Sequence, residues 1–207
     1  MIIKYVDFKK ELVKHFSVEP RLITECLIRY WFIEIHGRND AEIEKPYRTL
    51  SINPKYKTYL ASNRARADLY YGNAEDTVIE FKYHRKTKYS SCCTATNMGS
   101  VFNDLNRLSI LDNKEKYLIY VFDEEMKKYY EKNSPFDILK ISKAKVSPKI
   151  GINKTTDSKV AIGFEEFKKQ AFSGFNCKKF EDFNYTVKIS DIQKLVNGFY
   201  LIIYRVY

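Results

Sequence analysis

The chain has 207 residues, 44% of them hydrophobic and 30% charged, which suits one domain with a sizeable core. Its 36 Lys and Arg against 26 Asp and Glu leave a formal charge of +10, a balance that favours polyanionic partners such as nucleic acid. No apolar run is long enough to span a membrane, and the charge-studded N-terminus MIIKYVDFKKELVKHF lacks a signal peptide's apolar core, so a cytoplasmic protein with no membrane partner is expected.

In chain order, Phe8, Leu12 and Phe16 at helical spacing predict a helix over 7–16, with Asp7 as its N-cap. A second helix is predicted from about Val18 to His36, with Pro20 in its first turn and Gly37 as its C-terminal cap. Within it Cys26 reads as a small buried hydrophobe. The four cysteines contain no C-x-x-C pair that would offer a zinc knuckle or redox motif. Residues 47–60, aromatic and β-branched around NPK, predict extended structure. RARADLYY and TVIEFKYH then alternate with period two around the turn GNAED and predict a hairpin.

After a basic loop, Met98, Val101, Phe102, Leu105, Leu108 and Leu111 form one helical stripe. KYLIYVF reads as a strand buried on both faces, and DEEMKKYYEK as a short helix with acids first and bases last. Residues 142–159 have little periodicity and read as a loop. FEEFKKQAF predicts a helix, YTVKIS a strand, SDIQKLV a short helix capped by Ser190, and FYLIIYRVY a final strand. The order is α/β with a central mixed β-sheet flanked by helices, in a single domain over 1–207.

The hairpin carries the chemistry. If Tyr71 pairs with Thr77, Asp68 falls opposite Glu80, and Lys82, two residues on, points to the same side. Val78 and His84 share that face, with Ile79, Phe81 and Tyr83 on the other. Two facing carboxylates repel, but a hard divalent cation makes them mutually stabilising, and Mg²⁺ takes its remaining ligands from water and phosphate. Lys82 then stands where it could hold or deprotonate an attacking water. The opposing reading is a salt-bridge cluster on a half-exposed hairpin.

Two segments free of Asp and Glu add a polyanion footprint. Phe81 to Asn103 carries Lys82, Arg85, Lys86 and Lys88 near its start, and Lys140 to Thr156 carries Lys143, Lys145 and Lys149 among others. His84 reads as a surface residue at a strand end, and Asp104 with Arg107 as an i,i+3 ion pair on the following helix.

This constellation resembles the PD-(D/E)XK nuclease superfamily of restriction endonucleases and archaeal Holliday-junction resolvases. Asp68 matches its first acid, and Glu80 and Lys82 match its E-x-K; Ala67 stands where the motif's name has Pro. The resemblance covers about residues 20–122, a restriction endonuclease-like α-β-β-β-α-β core, and leaves 123–207 as a C-terminal elaboration. It implies that Asp68 and Glu80 bind Mg²⁺ (or Mn²⁺) with the Phe81 carbonyl, and that Lys82 serves the attacking water. It further implies a helix-borne acid, Glu25 in preference to Glu34. The implied protein is a metal-dependent endonuclease on DNA, of restriction or junction-resolving type, acting as a homodimer; FYLIIYRVY would offer an interface if it lay at the sheet edge. A nucleic-acid-binding module without turnover and a protein-interaction domain remain as rivals.

Overall fold

The computed structural model describes residues 3–60, 65–72, 76–85, 94–132, 167–176, 187–189 and 193–207. Helix α1 (Tyr5–Val18) is capped at its N-terminus by Lys4 with no side-chain bond, so Asp7 lies in the first turn and is not the cap. The single helix predicted from Val18 is two elements. A 3-10 turn at Pro20–Leu22 follows α1, and Thr24 restarts the chain as α2 (Glu25–His36), its hydroxyl accepting from Leu27 N–H. Gly37 closes α2 at φ 101°, a conformation that favours glycine.

Strands β1 (Ala41–Pro46), β2 (Arg66–Tyr71) and β3 (Thr77–His84) form an antiparallel run. Between β1 and β2 the predicted extended segment is instead a pair of 3-10 turns, Tyr47–Thr49 and Pro54–Tyr56, whose Tyr47 and Tyr56 are buried in the core. Helix α3 (Thr94–Ser109) crosses over to β4 (Glu115–Asp123), which lies parallel to β3, as a parallel pair requires. Helix α4 (Glu124–Lys132) follows, with Met126 N–H bonded to the Asp123 side chain at 3.0 Å. The predicted helix over FEEFKKQAF is described at 167–171, where it is helical.

The C-terminal strands are β5 (Val187–Ile189), β6 (Gln193–Lys194) and β7 (Phe199–Val206). The sheet is mixed and seven-stranded, ordered β1-β2-β3-β4-β7-β5, with β6 also on β7. This corrects two expectations. Gln193 and Lys194 are a strand segment paired with β7, where a helix was expected. And β7 has β4 on one side and β5 and β6 on the other, so its backbone groups are paired and it cannot serve as an edge-strand dimer interface.

Helices α1 and α2 cover one face of the sheet, with Phe8, Phe16 and Phe32 against Leu69, Ile79, Phe81 and Ile119. The other face packs Val78, Leu118 and Tyr120 under Met98, Val101, Leu105 and Leu108 of α3. Cys26 is exposed on the outside of α2, not buried.

One irregularity positions everything that follows. The β2–β3 pairing starts as expected at Tyr71–Thr77 but runs only to Leu69–Ile79. Beyond it β2 stays with β1 as far as Arg66–Pro46, while β3 stays with β4 as far as His84–Phe122. The sheet therefore forks between residues 66–68 and 80–84.

Helix α3 meets the 167–171 segment closely. A Cβ added at Gly99 would lie 2.5 Å from the Phe167 carbonyl oxygen and 2.8 Å from Gln170 Cβ. Overpacking of that kind costs roughly 1–3 kcal/mol, more than the ~1 kcal/mol that alanine gains over glycine in a helix. Gly99→Ala should lower the thermal midpoint and Gly99→Val should lower it further; an unchanged or raised midpoint for Gly99→Ala would show that the contact yields.

Candidate active site

At the fork, β3 keeps N–H groups that no longer face a partner strand. Backbone groups of alternate residues point to the same strand edge, so Phe81 and Tyr83 both direct N–H toward the gap. Buried or half-buried, such donors must find acceptors. Phe81 N–H donates to Asp68 Oδ2 at 2.7 Å, and Tyr83 N–H to Glu25 Oε2 at 3.1 Å. Asp68 N–H in turn donates to Glu80 Oε2 at 3.4 Å. Two side-chain-to-backbone bonds thus stand where the next rung of the ladder would be.

Three of the four predicted catalytic residues are drawn together by these bonds, and the fourth joins them through its charge. Glu80, 3% exposed, accepts a short hydrogen bond from the hydroxyl of buried Tyr47. Lys82 Nζ lies 2.9 Å from Asp104 Oδ2 on α3 and 3.9 Å from Glu25 Oε2 at the start of α2. The Asp104–Arg107 pair exists at 3.8 Å, as expected, but Asp104 is also the closest acid to Lys82. Glu34, the rival of Glu25, pairs with Arg38 on the exposed end of α2, away from the fork.

Sequence reasoning missed Tyr47, Arg29 and the second role of Asp104. Arg29 of α2 lies 3.2 Å from Asp68 Oδ1 and 2.7 Å from Glu44 Oε1. Asp104 carried a legible signal: it sits three residues after Val101 and four before Leu108, an acid on the apolar stripe. Tyr47 carried none.

The acids outweigh the cations at close range. Burial raises the Asp68 carboxyl above its ordinary value, opposed by the Phe81 N–H. Glu80 is driven well above the usual range by burial and by the charges of Asp68 and Asp104. Glu25 is pushed up to about 7, chiefly by burial, with Lys82 opposing. Lys82 is raised despite its burial, because Asp104 and Glu25 flank it. His84, expected at the surface, is half-buried between Tyr120 OH at 3.0 Å and Ser100 Oγ at 3.2 Å, and burial with nearby Lys82 lowers it to about 3. It is a neutral structural histidine.

Asp68 and Glu80 are the side chains here that could hold a small hard cation. Among the described residues no three acidic, histidine or cysteine side chains form a ready-made metal cluster. Asp68 and Glu80 nevertheless approach each other across the fork, where Asp68 N–H donates to Glu80 Oε2 and burial raises both carboxyls. Two carboxylates are what Mg²⁺ commonly takes from protein. The Phe81 carbonyl points to the same edge as its N–H and so toward the same gap.

Of the predicted nucleic-acid contacts, Lys82 is committed to the acid cluster, and Arg85 Nη1 donates to the Pro20 carbonyl at 3.1 Å. Lys86, Lys88, Lys143, Lys145 and Lys149 lie outside the described residues, as does the loop over 142–159. Among the described residues no helix is long and apolar enough to cross a membrane. No known protein family's profile matches this chain, and no solved structure matches it.

An acid whose carboxyl is raised on folding stabilises the fold below its ordinary value and loses that contribution as pH climbs through its folded value. Glu25 titrates between 4.5 and about 7, and Glu80 also lies above 4.5. In EDTA, the thermal midpoint should therefore fall between about pH 6.5, above which His84 is neutral both folded and unfolded and no longer opposes the trend, and about pH 8. Glu80→Gln, which keeps the Tyr47 acceptor and removes the buried charge, should flatten that fall and melt above wild type at the alkaline end. A wild-type midpoint that climbs over the same range would contradict the raised values.

Proposed function

We propose that the protein is a Mg²⁺- or Mn²⁺-dependent deoxyribonuclease with a restriction endonuclease-like core. The observation that carries this reading is the meeting of Glu25, Asp68, Glu80 and Lys82, from three separate elements, in the fork of the sheet. The order α2-β1-β2-β3-α3-β4 supports it, because it is the α-β-β-β-α-β order of the superfamily the motif resembles.

Each residue has a role that its surroundings make reasonable. Asp68 and Glu80 are the cation's carboxylate ligands, with the Phe81 carbonyl beside them. When bound, the cation supplies charge neutralisation at the phosphate and acidifies water. Glu25, whose carboxyl titrates near neutrality, assists at a water or at the cation. Lys82, held as an ammonium by Asp104, orients the attacking water and offsets charge growing on the phosphorus oxygens. Tyr47 fixes the rotamer of Glu80. The basic segments around 82–88 and 140–156 bind the DNA backbone, which makes affinity fall steeply with salt. Cutting both strands calls for two such sites, hence a homodimer formed by a surface other than β7.

A second reading, a DNA-binding module without turnover, is favoured by one observation: the Asp68 and Glu80 oxygens already accept from Arg29, Phe81 N–H, Tyr47 and Asp68 N–H. Incubation of plasmid and of branched DNA with Mg²⁺ or Mn²⁺ distinguishes the two. Wild type should cut, while Glu80→Ala and Lys82→Ala should lose about 10²-fold or more in rate with DNA binding retained. Binding without any cutting by wild type would support the module; neither binding nor cutting would reject both.

A further inference from the structure

The fork already contains a cation, and it belongs to α2. Arg29 Nη1 lies 2.7 Å from Glu44 Oε1 and 3.2 Å from both the carboxylate Oδ1 and the main-chain oxygen of Asp68. The Arg29 and Asp68 side chains are only 14% and 17% exposed, so their contact is sheltered from solvent screening, while the Glu44 partner is half exposed. Glu25 sits one turn before Arg29, a spacing at which acid and base commonly pair on a helix. Glu25 instead accepts from Tyr83 N–H, and Arg29 reaches across to the sheet.

The sheet is shaped to receive it. The β1–β2 register skips the Glu44–Asp68 position, and Glu44 has φ 57°, a left-handed conformation unusual for a glutamate. Asp68 therefore lacks a regular rung on both sides. Its carboxylate and N–H make replacement bonds to β3, and Arg29 takes its carbonyl.

We propose that Arg29 is a built-in counter-cation of Asp68 that a divalent cation must displace in order to bind, so that residue 29 sets the cation affinity of the fork. This rests on reading the fork as a cation site. A guanidinium does not deprotonate in proteins, and held 3.2 Å from Oδ1 it repels a dication that approaches the same carboxylate. Displacement does not strand it, because Glu44 remains as its partner. Linkage makes the competition reciprocal: whatever Arg29 gains from Asp68 is subtracted from the cation's affinity.

Mn²⁺ binding to the full chain, followed by electron paramagnetic resonance or calorimetry, tests this without any activity readout. Wild type should bind Mn²⁺ and Glu80→Gln should bind it poorly. Arg29→Met should bind about five-fold tighter or more than wild type, whereas Arg29→Lys, which keeps the charge, should stay near wild type. If wild type binds but Arg29→Met binds no tighter, the counter-cation role is wrong and the fork reading survives. If neither wild type nor Arg29→Met binds Mn²⁺, the fork reading itself fails and this inference with it. Should Arg29→Met not fold, the side-chain NMR signals of Arg29 in wild type decide: Mg²⁺ should shift them, and unchanged signals at Mg²⁺ saturation would overturn the proposal.

Discussion

The parting of β2 from β3 after Leu69–Ile79 is the constraint on which the rest of the site depends. A strand that loses its neighbour must still satisfy its backbone donors, and here the nearest acceptors are carboxylates. Asp68 takes Phe81 N–H and Glu25 takes Tyr83 N–H. The fork is therefore what gathers acids from a helix and a strand onto the exposed edge of β3. A continuous ladder would have paired those amides with β2 and left Asp68 and Glu25 no reason to approach.

Gathering acids in this way is unfavourable until something positive arrives. Burial and mutual repulsion raise Glu25, Asp68 and Glu80, and the protein offsets part of that with Lys82, Arg107 and Arg29. The offset is local and unequal. Lys82 is drawn to Asp104 on α3 and Arg29 to Asp68, which leaves Glu80 with a tyrosine hydroxyl and an amide N–H. A buried carboxylate whose hydrogen-bond donors are neutral is what the proposed cation would take as its second ligand beside Asp68.

Much of this was legible because it depends on short-range pattern. Period-two alternation placed Glu80 and Lys82 on one face and Ile79 and Phe81 on the other, and the Tyr71–Thr77 register followed from the length of the turn. Of the two helix acids weighed in the sequence, Glu25 lies at the fork, on Tyr83 N–H, while Glu34 pairs with Arg38 at the other end of α2. What was not legible depends on tertiary contact. The aromatic run at 47–60 packs as 3-10 turns because Tyr47 and Tyr56 are needed in the core, and β propensity does not distinguish that use. Gln193 and Lys194 join β7, whose edge needed partners more than a short helix needed to form. Arg29 looks in sequence like any helix-surface cation, and only the missing Glu44–Asp68 rung reveals its place.

The most direct test of the account is the anomalous scattering of crystals soaked in Mn²⁺. A single strong peak within ligand distance of one oxygen each from Asp68 and Glu80 is the predicted result. A Mn²⁺ peak elsewhere, with those two side chains unchanged, would contradict the proposal that the fork holds a cation.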